Sequence, residues 1–157
     1  YDSRLHYFTW WVADGEKKGI VHEISGKAFG GRQLLNLNFM SNNPDKYMQL
    51  NGNSTLTAAI ARYEAPFRKK EIPFLQKELL CGNKKNLPIR DGDIIALVTN
   101  IKGLDVTHMG IAVWVKGKLH MLHASSKEKK VILDPTPMHD YLAPRKSCPG
   151  VRVVRVK

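Results

Sequence analysis

Only two cysteines occur in the 157 residues, Cys81 and Cys148, and neither sits in a CxxC or Cys/His cluster. That excludes a disulfide-built scaffold and the usual structural zinc motifs. Whether the two pair is open at the level of sequence. Neither is placed like an activated nucleophile, which favours a helix N-terminus or a cationic neighbour. Cys81 follows a helix-like stretch in "LLCGNKK", and Cys148 sits in the turn "RKSCPGV". No apolar run approaches the ~20 residues of a membrane-spanning helix, so no span is expected. Acidic residues are scarce, with 14 Asp and Glu against 25 Lys and Arg and a net charge of +11. The basic residues come in small groups ("EKKG", "FRKKE", "GNKKN", "SKEKK") rather than one tract. They read as a solvated basic surface suited to an acidic substrate or an anionic envelope polymer, not as a nucleic-acid site. Repeats, linkers and low-complexity segments are missing too, which leaves a single domain over residues 1–157.

What is present reads as helices first and strands afterwards, an α+β pattern. Leu5, Phe8 and Val12 have helical spacing over residues 3–13, with Asp2 or Ser3 as cap and Gly15 as stop. "GIVHEIS" (19–25) and "GGRQLLNLNFMS" (30–41) read as strands. Asn43-Pro44 opens a short helix to about Leu50. Ser54 is placed to cap a longer helix, "TLTAAIARYEAPFRKK", open to interruption at Pro66. From residue 90 the chain is β-rich: "RDGDIIALVTN", "VTHMGIAVWV", "KLHMLHAS", "KKVILD" and "PGVRVVRVK" are five strands, with a short helical turn in "TPMHDYLAP". Asp93 suits a structural strand-start role.

The stretch "DVTHMGIAVWVKGKLHMLHASS" (105–126) holds two histidines on one expected hairpin. An even loop at Lys116-Gly117 pairs Val115 with Lys118. The same register sets Gly110 opposite His123 and His108 opposite Ser125, all on one face. The imidazoles then become diagonal neighbours, with Cα atoms roughly 7–8 Å apart. Gly110 would leave room for the His123 ring. One ring can act as general base while the other fixes its tautomer. Two structural histidines are the alternative. A zinc site is disfavoured, because His120 and His123 point to opposite faces of a strand and no acidic or Cys ligand completes the set. No cofactor is called for.

"RDGDIIALV", "THMGIAVWV" and "HMLHASS" together resemble the G-D, H-x-G-I and H-A-S strands of NlpC/P60 cysteine peptidases. More closely, "SRLHYFTWW", "NFMSNNPDKY", "GDIIALVTNIKGLDVTHMGIA", "LHMLHASS" and "PGVRVVRV" resemble the DUF1460 branch, in the same order and across nearly the whole chain. The resemblance implies a papain-like fold, with N-terminal helices packed on an antiparallel sheet of five to six strands. It implies a secreted or periplasmic bacterial amidase that cuts muropeptides between N-acetylmuramic acid and L-alanine. A Cys-His-His triad would do this, with His108 as base and His123 as third member. The branch carries its cysteine upstream of the S-R-L-H-Y-F motif, which here begins at Ser3. The nucleophile is therefore expected in a segment before Tyr1, and residues 1–157 form the C-terminal part of the catalytic domain, a monomer, inactive alone. Arg4, His6, Tyr7 and Trp10 are expected to line the cleft together with Gly110 and Ser125, with Arg4 suited to a substrate carboxylate. Two alternatives remain: an endopeptidase cutting within the stem peptide, and a non-catalytic module binding an anionic polymer.

Overall fold

A computed structural model describes residues 1–26, 30–84 and 86–157 of the chain. Lys85, one of the basic residues of "GNKKN", lies outside them. The strands are β1 (Val21–Glu23), β2 (Gly30–Asn36), β3 (Arg68–Gln76), β4 (Ile94–Val98), β5 (Val106–Val115), β6 (Lys118–Ser125), β7 (Lys130–Leu133) and β8 (Gly150–Val156). The helices are α1 (Phe8–Lys17), α2 (Phe39–Asn42), α3 (Ser54–Glu64) and α4 (Met138–Leu142).

All eight strands join one antiparallel sheet in the order β2-β3-β8-β4-β5-β6-β7, with β1 also on β8. This exceeds the five to six strands expected, because β1, β2 and β3 add to the five of the second half. β8 has β4 along one side; on the other, β3 pairs with its first residues and β1 with its last.

Side-chain alternation gives the sheet two apolar faces. Ile95, Leu97, Ala112, Leu119 and Met121 point to one, where Met138 and Leu142 of α4 cover them. Ala96 and Val154 point to the other, where Phe8 and Val12 of α1 pack. Each of these side chains larger than alanine contributes roughly 1.5–3 kcal/mol on burial. A third cluster, including Tyr7, Trp10, Leu37, Ile60 and Ile72, joins α1 and α3 to the antiparallel β2–β3 pair.

Four local expectations are corrected. First, α1 begins at Phe8, not near Ser3, and Tyr7 at its N-cap gives no side-chain cap. Instead the buried Asp105 accepts the Thr9 N–H through Oδ2 at 2.7 Å and the Val106 N–H through Oδ1 at 2.8 Å. A carboxylate from just before β5 therefore caps the helix and ties it to the histidine strand. Second, Gly15 lies inside α1, where a Cβ would come within 2.7 Å of the Val21 side chain; it allows close approach rather than a stop. Third, the strand expected over 30–41 ends at Asn36, where the Asn38 and Phe39 amides turn to the Gly103 carbonyl. Fourth, Asn53 rather than Ser54 caps α3, which stops at Glu64, and Arg68 onward is strand. Pairing with β2, from Gly30↔Leu75 to Asn36↔Arg68, overrides the helix propensity of the "RKK" run.

Candidate active site

The site is carried by the β5–β6 hairpin. Lys116 (φ 49°) and Gly117 (φ 80°) both adopt the left-handed conformation of a type I′ turn. Val115 pairs with Lys118 and the register runs unbroken to Ile111↔Leu122. Carried on, it sets Gly110 across from His123, on the side of the sheet that sequence alternation indicates. β4 braces the other side of β5 with one irregularity: Leu97 pairs with His108 but Val98 with Val106. Thr107 is the extra residue of a β-bulge, a device that re-aims the next side chain.

Nε2 of His108 lies 2.7 Å from Nδ1 of His123. The rings meet edge to face, with centroids 4.9 Å apart and planes at 85°. His123 is buried and His108 half-buried. Burial, then the charges of His123 and Arg145, hold the His108 ring below the usual histidine range. The ring is therefore neutral at pH 7, as a base must be. Behind His123, the Asp134 Oδ2 lies 3.3 Å from Nε2. Tyr141 presents its ring 6.0 Å from that of His123, and the Arg145 guanidinium stacks over Tyr141 at 4.3 Å. Asp134, Tyr141 and Arg145 were not found from sequence. The only local sign was an Asp-Pro turn in "LDPTP", common in any loop.

The other expected residues separate into groups. His6, Tyr7 and Gly110 share with His108 an open apolar groove of about 710 Å³, floored by Met109 and Ile111. His6 is held by its Nε2 at 2.8 Å from the Tyr1 carbonyl. The Tyr7 hydroxyl is turned away from the groove and donates to Glu64 at 2.7 Å. Burial, then that Glu64 contact, pushes its pKa far above the usual tyrosine value. Arg4 and Trp10 line a different hollow, with Arg62, Tyr63 and Phe67. Ser125 Oγ accepts the Glu128 N–H at 3.2 Å and closes the turn after β6. Asp93 is buried and gripped by Arg155 through both carboxylate oxygens, at 2.8 and 2.7 Å.

Gly110 lets β6 and the Met121 side chain approach closely, a neighbour the register alone did not indicate. A Cβ there would lie 2.5 Å from Met121 Cγ and 2.7 Å from the Leu122 carbonyl oxygen. The contact with backbone cannot be relieved by a rotamer change. Gly110→Ala should therefore cost about 1–3 kcal/mol of stability, read as a lower urea midpoint at unchanged slope. An unchanged midpoint would show that β6 yields freely.

Neither cysteine meets the histidines. The Cys148 thiol is buried and, chiefly through that burial, held above its usual pKa. Cys81 is exposed and borders a small hollow beside Lys118 and Leu119, at the turn end of the hairpin. Four strand residues, or about 13 Å, separate that level from His123. Among the described residues no group of three or more His, Cys, Asp or Glu could hold a metal ion. No helix among them is long and apolar enough to cross a membrane.

Residues 1–151 match the family described as AmiA-like, N-acetylmuramoyl-L-alanine amidase-like. The chain belongs to that family. No functionally curated protein matches it. Among solved structures, a Bacteroides fragilis protein provisionally described as a xylanase is 43% identical with a TM-score of 0.92. That match covers 99% of this chain and 67% of that one. An N-acetylmuramoyl-L-alanine amidase from Bacteroides uniformis is 38% identical with a TM-score of 0.93, over 100% of this chain and 66% of its own. A Legionella pneumophila protein of family DUF1460, 19% identical with a TM-score of 0.59, shares the fold over 98% of this chain and 62% of its own. The AmiA-like chain thus spans about two thirds of the length of these structures.

Proposed function

We propose that this AmiA-like chain is the histidine-bearing part of a peptidoglycan hydrolase. It would be a papain-like cysteine amidase of NlpC/P60 type, which cleaves muropeptides between N-acetylmuramic acid and L-alanine in the bacterial envelope. The observation that carries the reading is the 2.7 Å contact between His108 and His123 at the rim of an open groove. Among the described residues, Nδ1 of His108 has no hydrogen-bond partner and is available to a reacting group. Family membership and the amidase description of the Bacteroides uniformis relative agree with it.

The thiolate would come from chain outside residues 1–157, since Cys81 and Cys148 are both unsuited. A thiol beside Nδ1 of His108 gives up its proton and attacks the amide carbonyl carbon. His108 then returns the proton to the departing L-alanine nitrogen. The C–N bond breaks and a thioester with the muramic acid lactyl group remains. Water, deprotonated by His108, hydrolyses that thioester and restores the thiol.

Glycoside hydrolysis fits this groove poorly, because it needs two carboxyl groups flanking the bond and no Asp or Glu lines the groove. The decisive experiment is mass spectrometry of defined muropeptides after incubation with the full-length protein. Free peptides beginning at L-alanine are expected. Fragments cut within the stem would make it an endopeptidase, and salt-sensitive binding without cleavage a binding module. Residues 1–157 alone should produce no turnover, and cleavage by them would sink the triad.

The lowered His108 pKa also has a thermodynamic consequence. The unfolded chain takes up a proton near the ordinary histidine value of 6.5, whereas the folded ring resists until lower pH. Between those two points the unfolded state binds more protons, so stability falls as pH falls. Urea midpoints of residues 1–157 should drop as pH falls below about 7, and less steeply in His108→Gln. Equal pH slopes would show that the ring titrates normally.

A further inference from the structure

Asp134 follows β7 directly and is fastened at four points. Its backbone N–H donates to the Met121 carbonyl at 2.9 Å, and its own carbonyl lies 2.9 Å from Nδ1 of His120. Its Oδ1 accepts the Thr136 N–H at 2.8 Å, which leaves Oδ2 for His123 Nε2. The His123 side chain is 4% exposed and that of Asp134 15%, so water competes little for this contact. Burial pushes the Asp134 carboxyl upward, but the Thr136 N–H and His123 outweigh it and leave the group below its usual value. It is thus an anion at neutral pH.

The hydrogen positions follow by elimination. A carboxylate only accepts, so Nε2 of His123 must carry a proton. With the His123 ring neutral it has one N–H, so its Nδ1 is bare. The 2.7 Å contact is then a hydrogen bond only if His108 donates from Nε2. That places the His108 lone pair on Nδ1.

We infer that Asp134 is a positioning residue: through His123 it fixes the tautomer of His108 and makes Nδ1 its basic nitrogen. Its use in catalysis rests on the hydrolase reading above, whereas its effect on the two rings does not. When His108 takes a proton, the new cation points its Nε2–H at His123 and, one ring further, at the Asp134 anion. The logic parallels the serine-protease triad, where the aspartate selects the tautomer of the base without taking up the proton.

The near-isosteric Asp134→Asn gives a specific test. The Thr136 N–H demands an acceptor, so the amide oxygen takes the Oδ1 place and the NH₂ faces His123. It then donates to Nε2, which moves the His123 proton to Nδ1 and the His108 proton to its own Nδ1. Both tautomers reverse. Residues 1–157 labelled with ¹⁵N-histidine, read by long-range ¹H–¹⁵N correlation near neutral pH, report this directly. Wild type should show Nε2–H on both rings, and Asp134→Asn should show Nδ1–H on both. Wild-type protein with Nδ1–H on His108, or an Asn variant keeping the wild-type pattern, would overturn the inference. The wild-type spectrum decides even if the variant fails to fold. In full-length enzyme, Asp134→Asn should lower kcat about 10²–10⁴-fold with KM little changed. Were the wild-type enzyme itself inactive on muropeptides, the functional reading would fall while the spectra still decided the tautomers.

Discussion

His108→Ala in the full-length protein should abolish measurable muropeptide turnover, while His123→Ala should leave a residue of activity about 10²–10⁴-fold below wild type. The two differ because His108 keeps one ring nitrogen out of the pair's contact, whereas His123 is buried between His108 and Asp134 and acts through His108. In the proposed mechanism the thiol would stay protonated at neutral pH without His108 and the leaving amine would have no proton donor, so both halves of the reaction would stop. Without His123, His108 keeps its chemistry but loses the contact that fixes its ring and tautomer. Both rings sit at the end of the apolar core face, so thermal melts must accompany the kinetics. A folded His108→Ala enzyme with wild-type turnover would make the pair structural.

The largest stability effect should come from Glu23→Ala. Arg152 is 2% exposed, at mid-strand in β8, and its Nε and Nη2 donate to the two Glu23 oxygens at 2.7 and 2.8 Å. Nη1 donates to Thr9 Oγ1 at 2.7 Å, and the guanidinium lies 5.1 Å from the Phe8 ring centre. Removing the carboxylate strands a cation with no route to water. Breaking a buried pair from one side costs about 3–5 kcal/mol, and the lower end fits here because Glu23 keeps slight exposure. Chemical denaturation should show a loss of about 3 kcal/mol. In Glu23→Ala/Arg152→Met, which removes the stranded charge as well, much of that loss should return. A single variant within about 0.5 kcal/mol of wild type would mean that water already reaches the guanidinium.

The histidine hairpin was legible because everything that sets it is local. The two-residue turn, the period-2 alternation and the buried Ala112, Leu119 and Met121 all demand one register. β3 was not legible, because its first half is charged and helix-compatible and only the edge of β2 makes it a strand. The cap of α1 was hidden for a similar reason: Asp105 lies 96 residues from the amide it serves. Asp134 joins the imidazoles only once the β6–β7 turn has closed, so spacing gave no hint of it. The close approach of Met121 to Gly110 was missed because only the directly opposed residue was considered and not the diagonal one.

The place of β8 has a consequence for the order in which the molecule can be made. The last strand of residues 1–157 lies in the middle of the sheet, between the β2–β3 pair and the β4–β7 meander. Until residues 150–156 emerge, the two hairpin systems have no ladder in common, and the buried face of β4 has an open edge. The β4–β7 meander can form early from short-range contacts, whereas β2–β3 pairs span 32–45 residues and the joining pairs up to 135, as in Val21↔Val156. Cooperative folding of this sheet must therefore wait for residues 150–156, and a product arrested or nicked before them would be two sticky half-sheets.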